Sequence, residues 1–136
     1  MHEVIAHGVP AALVALGAPE VEACLEYRVD DPYAVSMAFG AGCALGGSSV
    51  AWVFARKLLV DGVTTSAGLG DVRVRPYDPE QTVIEFWVDG ACAVLLLRTE
   101  DIRAFLSATY RAVPLGSEWR RISWDEVLAR LTEGQH

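Results

Sequence analysis

The residues able to do chemistry in this 136-residue chain are few, and their spacing suits chemistry poorly. All three histidines, His2, His7 and His136, lie at the ends. A Ser-His or Cys-His dyad would have to borrow its base from a terminus, and zinc would lack its commonest nitrogen ligand. Two terminal ligands such as His2 and His7 make a poor metal site. Lys57 is the single lysine, and it falls in a short helical turn with a solvated end, the ordinary place for an ammonium. Gly68-Leu69-Gly70 copies part of a dinucleotide fingerprint, yet it precedes a strand instead of opening a helix, so no helix dipole would face a phosphate. Gly46-Gly47-Ser48-Ser49 lacks the lysine of a phosphate-binding loop. Among the carboxylates Asp61, Asp71, Asp78, Glu85 and Asp89, only Glu85 interrupts an apolar strand, and an outward position there explains it better than acid-base work. No catalytic, cofactor-binding or metal-binding residue is assigned.

Composition narrows the field further. Hydrophobic residues make up 52% of the chain, and mean hydropathy is +0.28. No apolar run approaches the roughly 18–20 residues of a membrane-spanning helix, so the excess is expected at a self-association interface, with no membrane insertion. The N-terminal stretch lacks a basic leader region, since His2 and Glu3 stand there, which predicts a cytoplasmic protein. Cys24, Cys43 and Cys92 are odd in number, widely spaced and without a CxxC, which argues against a disulfide framework. The formal net charge of −7 opposes nucleic acid and anionic membranes at long range. Basic residues nevertheless gather late, at Arg103, Arg111, Arg120, Arg121 and Arg130.

The elements that would position these residues are organised around Val50–Pro76. It opens as a strand with Val50, Trp52 and Phe54 on one face, changes period at Arg56, and closes a helical turn at Asp61-Gly62, where glycine suits a left-handed helix end. A glycine loop over 67–70 leads into a second strand that Pro76 ends. Before it, residues 9–16 read as a strand or a short helix, Pro10 favouring an edge strand. Val21, Ala23, Leu25, Tyr27 and Val29 alternate with polar residues as a half-solvated antiparallel strand. Asp30-Asp31-Pro32 turns into a ridge of Tyr33, Val35, Met37 and Phe39, and Gly40–Ser49 is a loop. After Pro76 come two strands, Thr82–Val88 and Ala91–Leu97, joined by the hairpin signal Asp89-Gly90. Both are partly apolar on two faces, so cover by a helix and by another sheet or subunit is expected. Thr99 caps a helix with Glu100 and Asp101 in its first turn, and Ile102, Phe105, Leu106, Tyr110 and Val113 form its apolar face. Pro114-Leu115-Gly116 ends it, Glu118–Ile122 is a short segment, and Ser123-Trp124-Asp125-Glu126 opens a last helix. Trp52 and Trp87 fit core ridges; Trp119 and Trp124, beside Arg120 and Arg121, fit either a contact patch or core packing. The order strands–helix, strands–helix with short turns predicts an antiparallel α+β domain.

Read in order, several of these segments resemble one family. Asp31-Pro32-Tyr33-Ala34-Val35 comes first, then Trp52-Val53-Phe54-Ala55-Arg56 with Leu58, Leu59 and Gly62. Gly68, Gly70-Asp71-Val72-Arg73-Val74 and Pro76 follow, and Val113-Pro114 with Gly116 closes the set. Together they are similar to the SsgA-like proteins, sporulation and cell-division regulators of filamentous spore-forming bacteria. The likeness spans about residues 20–132 of a single domain covering 1–136, with a divergent region at 1–19, and Ser66 stands where the family commonly has Pro. It implies a whirly-like α+β fold: two four-stranded antiparallel β-sheets, a short helix after the first half and two C-terminal helices. It also implies a homotrimer without catalytic activity, recruited to division septa through FtsZ-type or peptidoglycan-synthesis proteins. On that implication Asp31, Pro32, Tyr33, Trp52, Phe54, Arg56, Gly70, Asp71 and Pro76 are mainly structural. The candidate partner contact is Arg111, Gly116, Trp119, Arg120 and Arg121, at the exit of the long helix. The alternative is a single-stranded nucleic-acid-binding module of whirly-like fold, favoured by the late arginines and opposed by the acidic balance.

Overall fold

The computed structural model describes residues 3–14, 20–39 and 51–121. The chain runs through strands β1 (Val4–Leu13), β2 (Glu20–Arg28), β3 (Ala34–Phe39) and β4 (Ala51–Ala55), then helix α1 (Arg56–Gly62). Strands β5 (Val72–Asp78), β6 (Gln81–Val88) and β7 (Ala91–Arg98) follow, then helix α2 (Thr99–Ala112) and a 3₁₀ turn over Glu118–Arg121. Each half is therefore an antiparallel meander that ends in a helix, as the order of elements predicts.

The described strands do not form two separate four-stranded sheets. They form one seven-stranded sheet in the order β4-β3-β2-β1-β7-β6-β5, every pairing antiparallel. The seam between the meanders is short: Ala11–Leu13 of β1 against Leu95–Leu97 of β7. Pro10 thus lies in a central strand, not an edge. Val14 donates its N–H to Val94 O at 2.8 Å, and alternate residues of a strand point their N–H the same way. The N–H that Pro10 lacks would point toward β7 just where the pairing stops, so the ladder to β2 loses nothing.

The sheet curls, and a short helix closes it. A seven-residue helix is only about 10 Å long, yet α1 touches both edge strands, β4 and β5. Across the interior, Phe86 of β6 meets Trp52 of β4 at a ring separation of 5.0 Å and Phe39 of β3 at 5.4 Å. One face of every strand lines this interior, with Leu25, Tyr27, Met37, Val74, Ile84 and Leu95 fully buried. Helix α2 covers it with Ile102, Phe105 and Leu106, as its spacing predicts, and Val113 is buried just beyond its end.

Several local expectations change for physical reasons. Gly62 is not left-handed; a Cβ there would lie 2.3 Å from Val74 Cγ1, so glycine is required for the approach of α1 to β5. The positive-φ glycine between α1 and β5 is Gly68, at φ +99°. Strand β5 continues through Pro76 to Asp78, with a register shift between them, because an edge strand tolerates proline. Thr99 is not the cap of α2: Arg98 holds that position, and the buried Thr99 hydroxyl lies 2.7 Å from that of Thr82. Trp87 faces away from the core ridge, beneath Arg73 at 5.0 Å. The Asp89-Gly90 turn is as predicted, with both residues at positive φ. On the second face of β6, Val83 is buried, with Arg75 and Leu96 its register partners on the two neighbouring strands. Cys24 is disulfide-bonded, against the expectation from the odd number and wide spacing of the cysteines; Cys92 is a free thiol. Cys43, the Gly40–Ser49 loop and the helix expected after Ser123, with Trp124, lie outside the described residues.

Candidate interaction surface at the exit of the long helix

An α-helix leaves its last carbonyls without intrahelical partners. Beyond the end of α2, the carbonyl of Val113 is met from an element more than fifty residues upstream. Arg56, the first residue of α1, is 1% exposed. Its Nη1 donates to Val113 O at 2.9 Å, to Thr109 O at 3.3 Å and to Thr109 Oγ1 at 3.4 Å. Its Nη2 donates to Glu118 Oε2 at 3.0 Å. The guanidinium carbon lies 4.8 Å from the ring centre of Tyr27 and 5.1 Å from that of Tyr110, within cation–π range of both.

The same node gathers the Asp31-Pro32-Tyr33 turn. Tyr27 donates its hydroxyl proton to Pro32 O at 2.9 Å, and Arg56 donates its own N–H to Tyr33 O at 2.7 Å. Four elements distant in sequence thus meet at one cation.

Beyond Val113 the chain turns sharply. Gly116 takes φ +89°, and its N–H donates to Glu118 Oε1 at 2.6 Å. Ser117 N–H and Oγ both donate to Pro114 O, at 3.0 and 2.6 Å, and Arg120 N–H donates to Ser117 O at 3.1 Å. Glu118 is therefore bonded through both oxygens, one to the buried arginine and one to the turn. Burial alone raises its carboxyl pKa, but hydrogen bonds from its own backbone, Arg56 and Gly116 outweigh that, and the net shift is downward from 4.5. Burial also raises the Tyr110 phenol.

What this turn carries outward is Trp119, 52% exposed, with the Arg120 guanidinium 5.3 Å from its ring centre. Leu115 is exposed beside them, and Arg111 is exposed in the last turn of α2. Exposed tryptophan and arginine on an ordered turn have the composition of an interface hot spot. Of the five residues expected to form the contact, Gly116, Trp119, Arg120 and the backbone of Arg121 are brought into one turn and Arg111 lies on the preceding helix. The Arg121 side chain is outside the described residues.

The other residues weighed for chemistry sit apart. Lys57 pairs with Asp61 at 2.6 Å on the surface. Glu85 is half-buried, paired with Arg75 at 3.1 Å and accepting from Trp87 Nε1 at 3.3 Å. His7 stands edge-on to Phe105 at 5.4 Å. Among the described residues no three His, Cys, Asp or Glu side chains group as metal ligands, and no helix is long and apolar enough to cross a membrane. Of the family-pattern residues, Trp52 packs at the core, where Phe54 is buried, whereas Asp71 acts through its main chain, accepting Trp87 N–H at 2.7 Å. Gly70 has open space around it. Sequence reasoning missed Glu118 and Thr109 altogether. The one signal was Arg56 itself, a charge placed where an apolar strand turns directly into a helix.

Fold and site together describe an antiparallel α+β protein with an exposed tryptophan and arginine on a hydrogen-bonded turn after α2. Residues 21–118 match the family model for the Streptomyces sporulation and cell division protein, SsgA. The sporulation-specific cell division protein SsgB of Saccharopolyspora erythraea is 42% identical over 123 residues, covering 88% of this chain and 85% of that one. SsgB of Streptomyces coelicolor is 36% identical over 114 residues, covering 82% and 81%. The crystal structure of an SsgA-like sporulation-specific cell division protein from Thermobifida fusca YX-ER1 superposes with a TM-score of 0.81 at 32% identity, covering 94% of this chain and 95% of that one. A second structure, concerning SsgB mutations that correlate with longitudinal cell division during sporulation of Streptomyces coelicolor, gives 0.79 at 33% identity, covering 89% and 97%. The chain belongs to the SsgA family of sporulation and cell division proteins.

Proposed function

We propose that this protein regulates sporulation-specific cell division without catalysis, as a homotrimer that binds FtsZ-type proteins at the division septum. The observation that carries the reading is the exposed Trp119–Arg120 pair, held on a turn bonded to the core. A flexible arginine would lose more side-chain entropy on binding than one already stacked on an ordered ring. Arg111 and Arg120 make the surface locally basic in a chain of net charge −7, which favours an acidic partner surface through short-range complementarity. The relatives named as sporulation-specific cell division proteins support a partner in the division machinery. Exposed Val53, Val88 and Tyr77, with the high apolar content, support self-association.

Two measurements test this. Light scattering on the eluting protein should return three times the 14.7 kDa chain mass; a monomer at micromolar concentration contradicts the trimer. Purified FtsZ passed over the immobilised protein should bind saturably. If it gives no signal while a peptidoglycan-synthesis protein does, the FtsZ assignment is wrong.

A further inference from the structure

We infer that Arg56 is the positioning residue of this surface: it caps the C-terminal carbonyls of α2 from a different element and, through Glu118, fixes the turn that presents Trp119 and Arg120. The inference rests on the proposed reading of that surface and adds what makes the surface competent.

Three observations converge on it. The bond from Arg56 to Val113 O satisfies a carbonyl that the end of α2 leaves open, and a second, longer one reaches Thr109 O, which also accepts the Val113 N–H at 2.8 Å. Its bond to Glu118 reaches the first residue of the turn that carries Trp119 and Arg120. Glu118 passes the constraint on, since its second oxygen takes the Gly116 N–H at the left-handed position where the chain reverses. A lysine at position 56 would keep the charge but not the fork that serves several acceptors at once. The pairing also decides the charge of the patch. Glu118 sits beside Trp119 in sequence, and a carboxylate freed there would oppose the acidic partner that Arg111 and Arg120 favour. Arg56 keeps that charge 3.0 Å away and buried.

The test compares the native chain with Arg56→Lys and with the double variant Arg56→Met/Glu118→Leu. The double variant removes both buried charges, so neither is left unpaired and the fold is retained. Amide hydrogen exchange at Ser117 and Arg120, whose N–H groups close the turn, is read against sheet amides in β6 and β7. Both variants should exchange about tenfold faster at Ser117 and Arg120 with the sheet unchanged, and bind purified FtsZ about tenfold more weakly. Unchanged exchange in the double variant overturns the inference, as does acceleration spread evenly through the sheet, which would make Arg56 a core residue only. Local acceleration without loss of affinity overturns it too. Should the native chain fail to bind FtsZ, the functional reading falls while the exchange pattern still decides whether Arg56 holds the turn.

Discussion

A buried ion pair is weak as a source of stability, because taking two charges out of water offsets most of their attraction; removing one partner is what costs. The Arg56–Glu118 pair, with side chains 1% and 9% exposed, falls under this rule. Glu118→Gln leaves a guanidinium buried without its anion, and thermal or denaturant unfolding at pH 7 should show a loss of about 3–5 kcal/mol. The dependence on pH has a definite sign. The Glu118 carboxyl is depressed below 4.5 in the fold, so its contribution is complete above that value and lost as pH falls through the folded one. The stability gap between native and Glu118→Gln proteins should therefore narrow below pH 4.5; a gap that stays constant down to pH 2.5 contradicts the assignment. None of this was legible in sequence. Arg56 stood out as an interruption, but its acceptors at Thr109, Val113 and Glu118 are defined only once α2 is folded against α1.

At the scale of elements, local pattern was read well and environment less so. The alternation in β2, the Asp89-Gly90 hairpin and the apolar stripe of α2 depend on near neighbours, and all three form as expected. Pro10 and Pro76 misled because proline reports a missing donor, not which side of the sheet lacks a partner. Thr99 misled because a hydroxyl at a helix start serves equally as a cap or as a buried partner, here to Thr82. Gly62 has a reason that no local rule states, namely the approach of Val74. Gly62→Ala should cost about 1–3 kcal/mol by overpacking. Combined with Val74→Ala, the glycine substitution should cost less but still destabilise, since only the clash with Cγ1 is relieved and the Cβ at position 74 remains 2.4 Å from the new methyl. A double-mutant cycle on unfolding measures that coupling, and strict additivity would contradict the contact.

On the scale of the whole molecule, one short helix links the two edges of the sheet. Helix α1 continues directly from edge strand β4 and packs on the other edge strand, β5, of the seven-stranded sheet whose interior α2 covers. The same helix begins with Arg56, so the element that closes the sheet also fixes the exit of α2. Sequence order foretold two strand-helix halves but not their fusion into one sheet, because the β1–β7 seam is three residue pairs between segments some eighty residues apart. It did place the candidate surface at the exit of α2, since tryptophan and arginine after a helix-ending Pro-Leu-Gly are visible in the linear chain. What that surface does is the central claim, and affinity for purified FtsZ tests it most directly in the Arg111→Glu/Arg120→Glu protein. Both side chains are exposed, so the melting temperature and oligomer mass should match the native chain while binding weakens by about tenfold or more. Undiminished binding in a folded variant would contradict the account.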